Sequence, residues 1–268
     1  MLTQRDIEQA FERLGLAGTR AVIHSSVRSL GPVEGRASAV AAAVAATFET
    51  PLLPAFTFAS NAPPPETDRP LQNGCDYAFY NTWNARSVPF RVEDAGIDRS
   101  MGALPHCFAS LDGVIRSDHP WHSWLGRGPG AAHLLDPHPW DTTNVPLDRL
   151  AAEPSFVVMI GVGLTACTAI HVAEERAGRR PFVRWAFDRD GAVRRMRAAG
   201  CSKGFSALER YADGLFTEAT IGSSRVRIAP LQELIERFAG VIRRQPEITV
   251  CSPTCLRCRD SVSGGPVE

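Results

Sequence analysis

Ser155-Phe156-Val157-Val158-Met159-Ile160-Gly161-Val162 is the most strand-like stretch of the chain. Its run is continuously apolar and bounded by glycine. That predicts a strand buried on both faces, the pattern of a central parallel strand, and not the alternation of a strand with one wet face. Leu164 to Arg176 follows with helical spacing. Strand, glycine turn and helix in that order predict an α/β fold, and ligands of open α/β sheets bind at the carboxyl ends of the strands. On the helix Thr168, His171 and Glu175 share one face, and Glu174 stands beside His171 at i+3. A half-buried histidine with a surface glutamate is the structural alternative.

Outward from this unit the chain alternates in the same way. Thr3 to Leu14 predicts a helix capped by Thr3, with Asp6 three residues on and Gly15 as the stop. Arg20 to His24 predicts a short buried strand. It runs into Ser25-Ser26-Val27-Arg28-Ser29-Leu30-Gly31, ahead of an alanine-rich helix from about 37 to 48. Hydroxyls, a guanidinium and free amides there suit a phosphate or pantetheine-like ligand; with neither a Walker nor a dinucleotide glycine spacing present, a plain solvated connection is the alternative that the residues alone favour. Pro51 to Phe58 predicts a second strand, and Asn61 to Gly74 a long proline-rich loop, either a binding lid or a loose excursion. Trp83 to Glu93 reads as irregular, and Met101 to Leu111 as a helix.

Gly113 to Ser123 is polar and interrupted by Pro120, so His119 should be displayed from a fixed loop. Imidazole can take a proton at neutral pH, which makes His119 a candidate base; the alternative is a histidine that only bonds backbone. Short helices are expected before Leu135 and from Pro146 to Ala152. A hairpin is expected at 182–197 around Asp190-Gly191. Ser206 to Ala212 should be helical, Ser224 to Ile228 a strand, and Leu231 to Arg244 an amphipathic helix. With no repeat or linker, residues 1–268 read as one domain with a cysteine-containing tail at 251–268.

Lys plus Arg and Asp plus Glu both number 29. A broad nucleic-acid-binding surface is therefore not expected. No apolar run is long enough for a membrane span, and seven scattered cysteines suit a reducing cytoplasm. Cys251, Cys255 and Cys258 form C-x3-C-x2-C. A tetrahedral zinc site needs four ligands; Cys201 is the nearest fourth by type, and reduced thiols on a terminal loop are the alternative.

Several segments together resemble one family, the aminoglycoside 3-N-acetyltransferases (antibiotic N-acetyltransferases), which are unrelated in fold to the GNAT superfamily. His24-Ser25-Ser26-Val27-Arg28-Ser29-Leu30-Gly31 resembles its opening His-Ser-Ser motif, and Leu53-Pro54-Ala55-Phe56-Thr57 its second strand. Arg116-Ser117-Asp118-His119-Pro120 resembles the Arg-Ser-x-His-Pro signature, and Pro146-Leu147-Asp148-Arg149-Leu150 a later Pro-Leu-x-x-Leu segment. Gly161-Val162-Gly163 through Thr168-Ala169-Ile170-His171-Val172-Ala173-Glu174 resembles its Gly-x-Gly and Thr-x-x-His-x-x-Glu pattern.

The resemblance implies a central mixed sheet between helices and acetyl-CoA-dependent transfer to the 3-amino group of a 2-deoxystreptamine aminoglycoside, as in antibiotic resistance. It implies acetyl-CoA along Ser25, Ser26, Val27, Arg28, Ser29, Gly31, Ser117, Gly161 and Gly163. His119 would be the base, Glu174 its partner, and Thr168 an oxyanion donor. A thioester is already activated, so no metal is required. The expected state is a monomer or homodimer. The same chemistry on another small-molecule amine is the near alternative. More distant ones are a non-catalytic CoA-binding module and a metal-dependent hydrolase built on His24, His119, His171 and Glu174.

Overall fold

The structure, a computed structural model, describes residues 1–81 and 87–267. Among the described residues the strands are β1 Arg20–Ser25, β2 Thr50–Pro54, β3 Ile115–Arg116, β4 Trp124–Gly126, β5 Ser155–Ile160, β6 Phe182–Phe187, β7 Val193–Ala198, β8 Thr217–Ile221 and β9 Ser224–Pro230. Seven of them form one mixed sheet in the order β3-β4-β2-β1-β5-β9-β8. β1 lies between β2 and β5 and is parallel to both, while β4 and β9 run antiparallel outside them.

Helices cover both faces, which is why β1 and β5 carry no polar alternation. Val22, Val157 and Met159 enter one core with Ile170 and Val172 of helix Ala169–Arg176 and with Leu234 and Phe238 of helix Leu231–Arg244. Ile23, Val158 and Ile160 enter a second core, with Phe11 of helix Gln4–Arg13 and Val40 and Val44 of helix Arg36–Thr47. The expected α/β fold with its mixed sheet between helices is present. Thr3 caps the first helix with a full capping box, donating to and accepting from Asp6.

Three expectations are corrected. The second strand ends at Pro54, not at residue 58. Beyond it the carbonyl of Ala55 is taken by the Arg116 guanidinium at 2.5 Å and by Ser123 Oγ at 2.7 Å, which turns the chain out of the sheet. The helix expected to begin at Leu164 is interrupted: a 3-10 turn, Leu164–Ala166, ends at an extended Cys167, and the α-helix starts at Ala169. Cys167 is buried in the core, and seating it there breaks the helix. Strand β8 was not anticipated; it is an exposed edge strand with few buried side chains, so its sequence shows little alternation.

The expected hairpin forms a separate two-stranded ribbon, β6–β7. The Asn61–Gly74 loop is strapped to it. Buried Asn73 exchanges hydrogen bonds with the Val183 backbone at 2.8 and 3.0 Å, and Trp185 Nε1 donates to Asp68 at 2.8 Å. Within the irregular stretch expected at 83–93, residues 83–86 lie outside the described residues.

Candidate active site

The carboxyl ends of parallel strands β1, β2 and β5 open on a common cavity of about 470 Å³. Each strand delivers one wall: His24 and Ser25 from β1, Pro54 and Phe56 from β2, and the Val162–Thr168 turn from β5. The far wall comes from Ala199, Gly200 and Ser202 after the ribbon, and from Arg257 near the C-terminus.

His171 reaches the cavity from the first turn of its helix. Its Nδ1 lies 2.7 Å from Glu174 Oε2, one helical turn on. A carboxylate there can only accept a hydrogen bond, so Nδ1 carries the hydrogen and donates it, and Nε2 presents its lone pair. Nε2 has no hydrogen-bond partner among the described residues. Glu174 is buried, and its other oxygen accepts from Arg179. Arg179 also donates to Thr249 Oγ1 at 2.7 Å, and the imidazole rests edge-on against Phe205 at 4.8 Å. The carboxylate is thus held from behind and the ring from the side. Thr168 also faces the cavity, and its hydroxyl has no partner among the described residues.

His119 is placed differently from the sequence-based expectation. The ring is wholly buried and does not line the cavity. Its Nδ1 accepts from the amides of Trp121 and His122 at 3.1 and 2.9 Å, so Nε2 carries the hydrogen and donates to Thr142 O at 3.0 Å. Both nitrogens are committed to backbone. Glu174 bonds His171 and not His119, so the expected His119–Glu174 pair does not form.

The rest of the signature is also internal. Ser117 is buried; its Oγ accepts from the amide of Trp124 at 2.9 Å and lies 3.0 Å from His138 Nδ1, so it is not positioned to meet a cosubstrate. Arg116 Nε donates to Ser123 Oγ at 3.0 Å, and its guanidinium also clamps the carbonyls of Ala55, Ala95 and Gly96. Burial pulls its pKa down to about 10. These three signature side chains, together with Ser123, fasten a loop.

That loop gathers neutral imidazoles. His138 packs on His119 with ring centroids 4.7 Å apart, and His122 follows at 5.7 Å. His122 reaches the cavity wall; its Nε2 accepts from the Ala199 amide at 3.1 Å, leaving a buried Nδ1 without a partner. Burial lowers all of them: His138 and the β1 residue His24 to about 4, His122 to about 3 with help from His171 and His138, and His119 well below its ordinary value.

The Ser25–Gly31 segment lies across the β5 turn. The amide of Ser26 donates to Ile160 O at 2.8 Å; Ser29 Oγ donates to Ser26 O at 2.6 Å and lies 2.7 Å from Ser224 Oγ. Ser29 therefore joins β1, β5 and β9. Gly161 makes room for it: at φ +62° a Cβ would sit 1.9 Å from Ser29 Oγ. Ser25 faces the cavity, Ser26 and Val27 are half-buried, Arg28 is exposed, and Gly31 turns the chain at φ +81°. Gly163 has open space where a side chain would project. Cys167 does not qualify as a nucleophile, because burial pushes its thiol up to about 12.

His24, His119, His171 and Glu174 do not converge as a metal set. Among the described residues, the one group with ligand atoms close enough to hold an ion is Cys201, Cys251, Cys255 and Cys258.

A family model described as aminoglycoside 3-N-acetyltransferase matches residues 22–242. The chain belongs to this family. Aminoglycoside N(3)-acetyltransferase III of a Salmonella species is 32% identical over 192 residues, which cover 69% of this chain and 64% of that protein. The chain thus spans just under two thirds of the length of this curated relative. Among solved family-like folds, YokD of Bacillus subtilis superposes with a TM-score of 0.79 at 21% identity, covering 91% of this chain and all of that one. Apo aminoglycoside acetyltransferase AAC(3)-IVa superposes with a TM-score of 0.77 at 22% identity, over 98% and 97%.

The sequence reading placed His171 near the site and among the ligands of the hydrolase alternative, but did not offer it as the base. Its signal was present, a histidine and a glutamate at i, i+3 in the first turns after the central strand, but the proline-flanked His119 drew the assignment.

Proposed function

We propose that the chain is an acetyl-CoA-dependent N-acetyltransferase in which His171 is the general base. The observation that carries this reading is the 2.7 Å contact between His171 Nδ1 and buried Glu174, with Nε2 left open at the cavity. A protonated amine is not a nucleophile. Nε2 takes a proton from the attacking amine, while Glu174 holds the tautomer and offsets the charge that develops on the ring.

Acetyl-CoA supplies an acyl group already activated as a thioester. The residues fit such a donor: three strand ends converge, Ser25 and the unpartnered Thr168 hydroxyl face inward, and the Gly163 backbone is open. Thr168 is positioned to donate to an oxyanion. The new bond is nitrogen to carbonyl carbon, and the bond lost is carbon to sulfur. His171 returns its proton to the departing sulfur, so no metal enters the balance. AAC-IIIb, 19% identical, is known as a binary complex with CoASH.

The acceptor in this reading is the 3-amino group of a 2-deoxystreptamine aminoglycoside; the family's name gives the aminoglycoside and the 3-N position. A mutant of AAC(3)-IVa, also of this fold, has been solved with a gentamicin. One observation favours a second reading, a smaller and less cationic amine. The cavity lining holds Arg257 and, among the described residues, no Asp or Glu to receive a polycation.

The test is thiol release from acetyl-CoA with a panel of 2-deoxystreptamine aminoglycosides and simple monoamines, products being read by mass spectrometry. Turnover with the former and a single added acetyl group supports the first reading. Turnover confined to monoamines supports the second. Stoichiometric CoA binding with no acceptor turned over refutes both.

A further inference from the structure

We propose that Cys201, Cys251, Cys255 and Cys258 form a structural zinc site that fixes the far wall of the cavity, the one built from Gly200, Ser202 and Arg257. The sequence offered three thiols in C-x3-C-x2-C and no certain fourth. The fold supplies the fourth from fifty residues away: Cys201 follows β7, Cys251 follows the 3-10 turn Pro246–Thr249, Cys255 caps helix Leu256–Val262, and Cys258 lies in its first turn.

All four Sγ atoms lie within 4.8 Å of one another. Cys201 to Cys251 is 3.7 Å and Cys251 to Cys258 is 3.5 Å. Zinc–thiolate bonds of about 2.3 Å set the edges of a tetrahedron near 3.8 Å. Disulfide sulfurs sit at about 2.05 Å, and all seven cysteines are free. Four mutually close thiols with no disulfide are hard to account for by apolar packing, since Cys251 and Cys255 are only half-buried.

The surroundings suit thiolate. The Cys251 amide points at Cys258 Sγ at 3.5 Å, and those of Lys203 and Cys258 point at Cys201 and Cys255 sulfur. Such N–H donors spread the negative charge of a tetrathiolate. Soft sulfur ligands in a tetrahedral set select zinc over calcium or magnesium. Four cysteines close the coordination sphere and leave no position for water or substrate, so the site is structural and takes no part in the acetyl transfer.

Its place gives it a consequence. Gly200 and Ser202 flank Cys201, Arg257 lies between Cys255 and Cys258, and all three line the cavity. One ion would tie two segments, remote in sequence, into a single wall.

The test is metal analysis of the full chain purified without a tag and without chelator. About one zinc per chain is expected, with metal lost in Cys251→Ser and Cys255→Ser, the two less buried positions. Stripping with an organomercurial and chelator should lower the melting temperature by roughly 5–10 °C, reversed by added zinc. Cobalt(II) added to stripped protein should give the sulfur-to-cobalt charge-transfer and d–d bands of a tetrahedral tetrathiolate. Protein that holds no zinc and yields no such spectrum, or retains its metal in both serine variants, overturns the proposal. None of these readouts depends on which amine, if any, is acetylated.

Discussion

The molecule carries two histidines beyond strands of the same sheet, His119 in the loop after β3 and His171 in the helix after β5, with opposite fates. His171 leaves one nitrogen to a carboxylate and turns the other to the cavity. His119, in the more distinctive motif, gives both nitrogens to backbone and sees no cavity. What separates them is hydrogen-bond accounting. An imidazole whose two nitrogens already hold good partners has nothing left to exchange with a substrate. A distinctive motif can be needed to build a loop as much as to do chemistry.

Exchanging the two roles experimentally gives the sharpest break. His171→Ala should lower kcat by roughly 10²- to 10⁴-fold in the acetyl-transfer assay while CoA still binds by calorimetry. Turnover within threefold of the parent would remove it as the base. His119→Ala should do the reverse. It strands two amides and a carbonyl in the interior and should cost about 2–4 kcal/mol in denaturant unfolding, with kcat of the folded fraction little changed. An unchanged stability with abolished turnover would return the catalytic role to His119.

Acid should separate the regions next. His24, His122 and His138 have folded pKa values of about 4, 3 and 4, below the usual 6.5, because burial penalises the charged ring. The unfolded chain therefore binds more protons below pH 6.5, and the stability they contribute at neutral pH is lost as pH falls toward 4. Each accounts for about 2 kcal/mol by pH 5. The melting temperature should fall steeply from pH 7 to 5, and His138→Gln should flatten that fall. A flat profile in the parent would mean that the rings are hydrated. The smallest effect is expected at Glu174→Gln, where an amide oxygen can still accept from Nδ1. There kcat should drop by about tenfold, with acceptor KM within about twofold.

The fold was legible where burial was symmetric. The apolar run of β5 and the caps of the first helix need no long-range information, and Leu231 to Arg244 is helical as its periodicity predicts. Edge strand β8 and two-residue β3 were not legible although each pairs with the next strand in the chain, because β8 is mostly exposed and β3 is too short to show any alternation. In the site, Thr168 and Glu174 could be named because helical spacing after a central strand puts them at its carboxyl end. Helical spacing already set Glu174 beside His171; what the sequence did not show is that His119 is spent on the amides of Trp121 and His122, which depends on how its loop folds back. Ser117 failed for the same reason. A serine in a signature reads alike whether its hydroxyl meets ligand or the neighbouring backbone.

The interlock of Ser29, Gly161 and Ser224 bears on how the cavity can vary. With no space for one more carbon between them, this rim cannot shift without unseating β9, so it behaves as a rigid jaw. The opposite jaw, Ala199, Gly200, Ser202 and Arg257, belongs to no strand of the main sheet; with Cys201 held among the thiols, its other side chains can differ in size and charge. Directed evolution toward new acceptors should therefore accumulate its substitutions on that second jaw and leave the serine-glycine rim untouched.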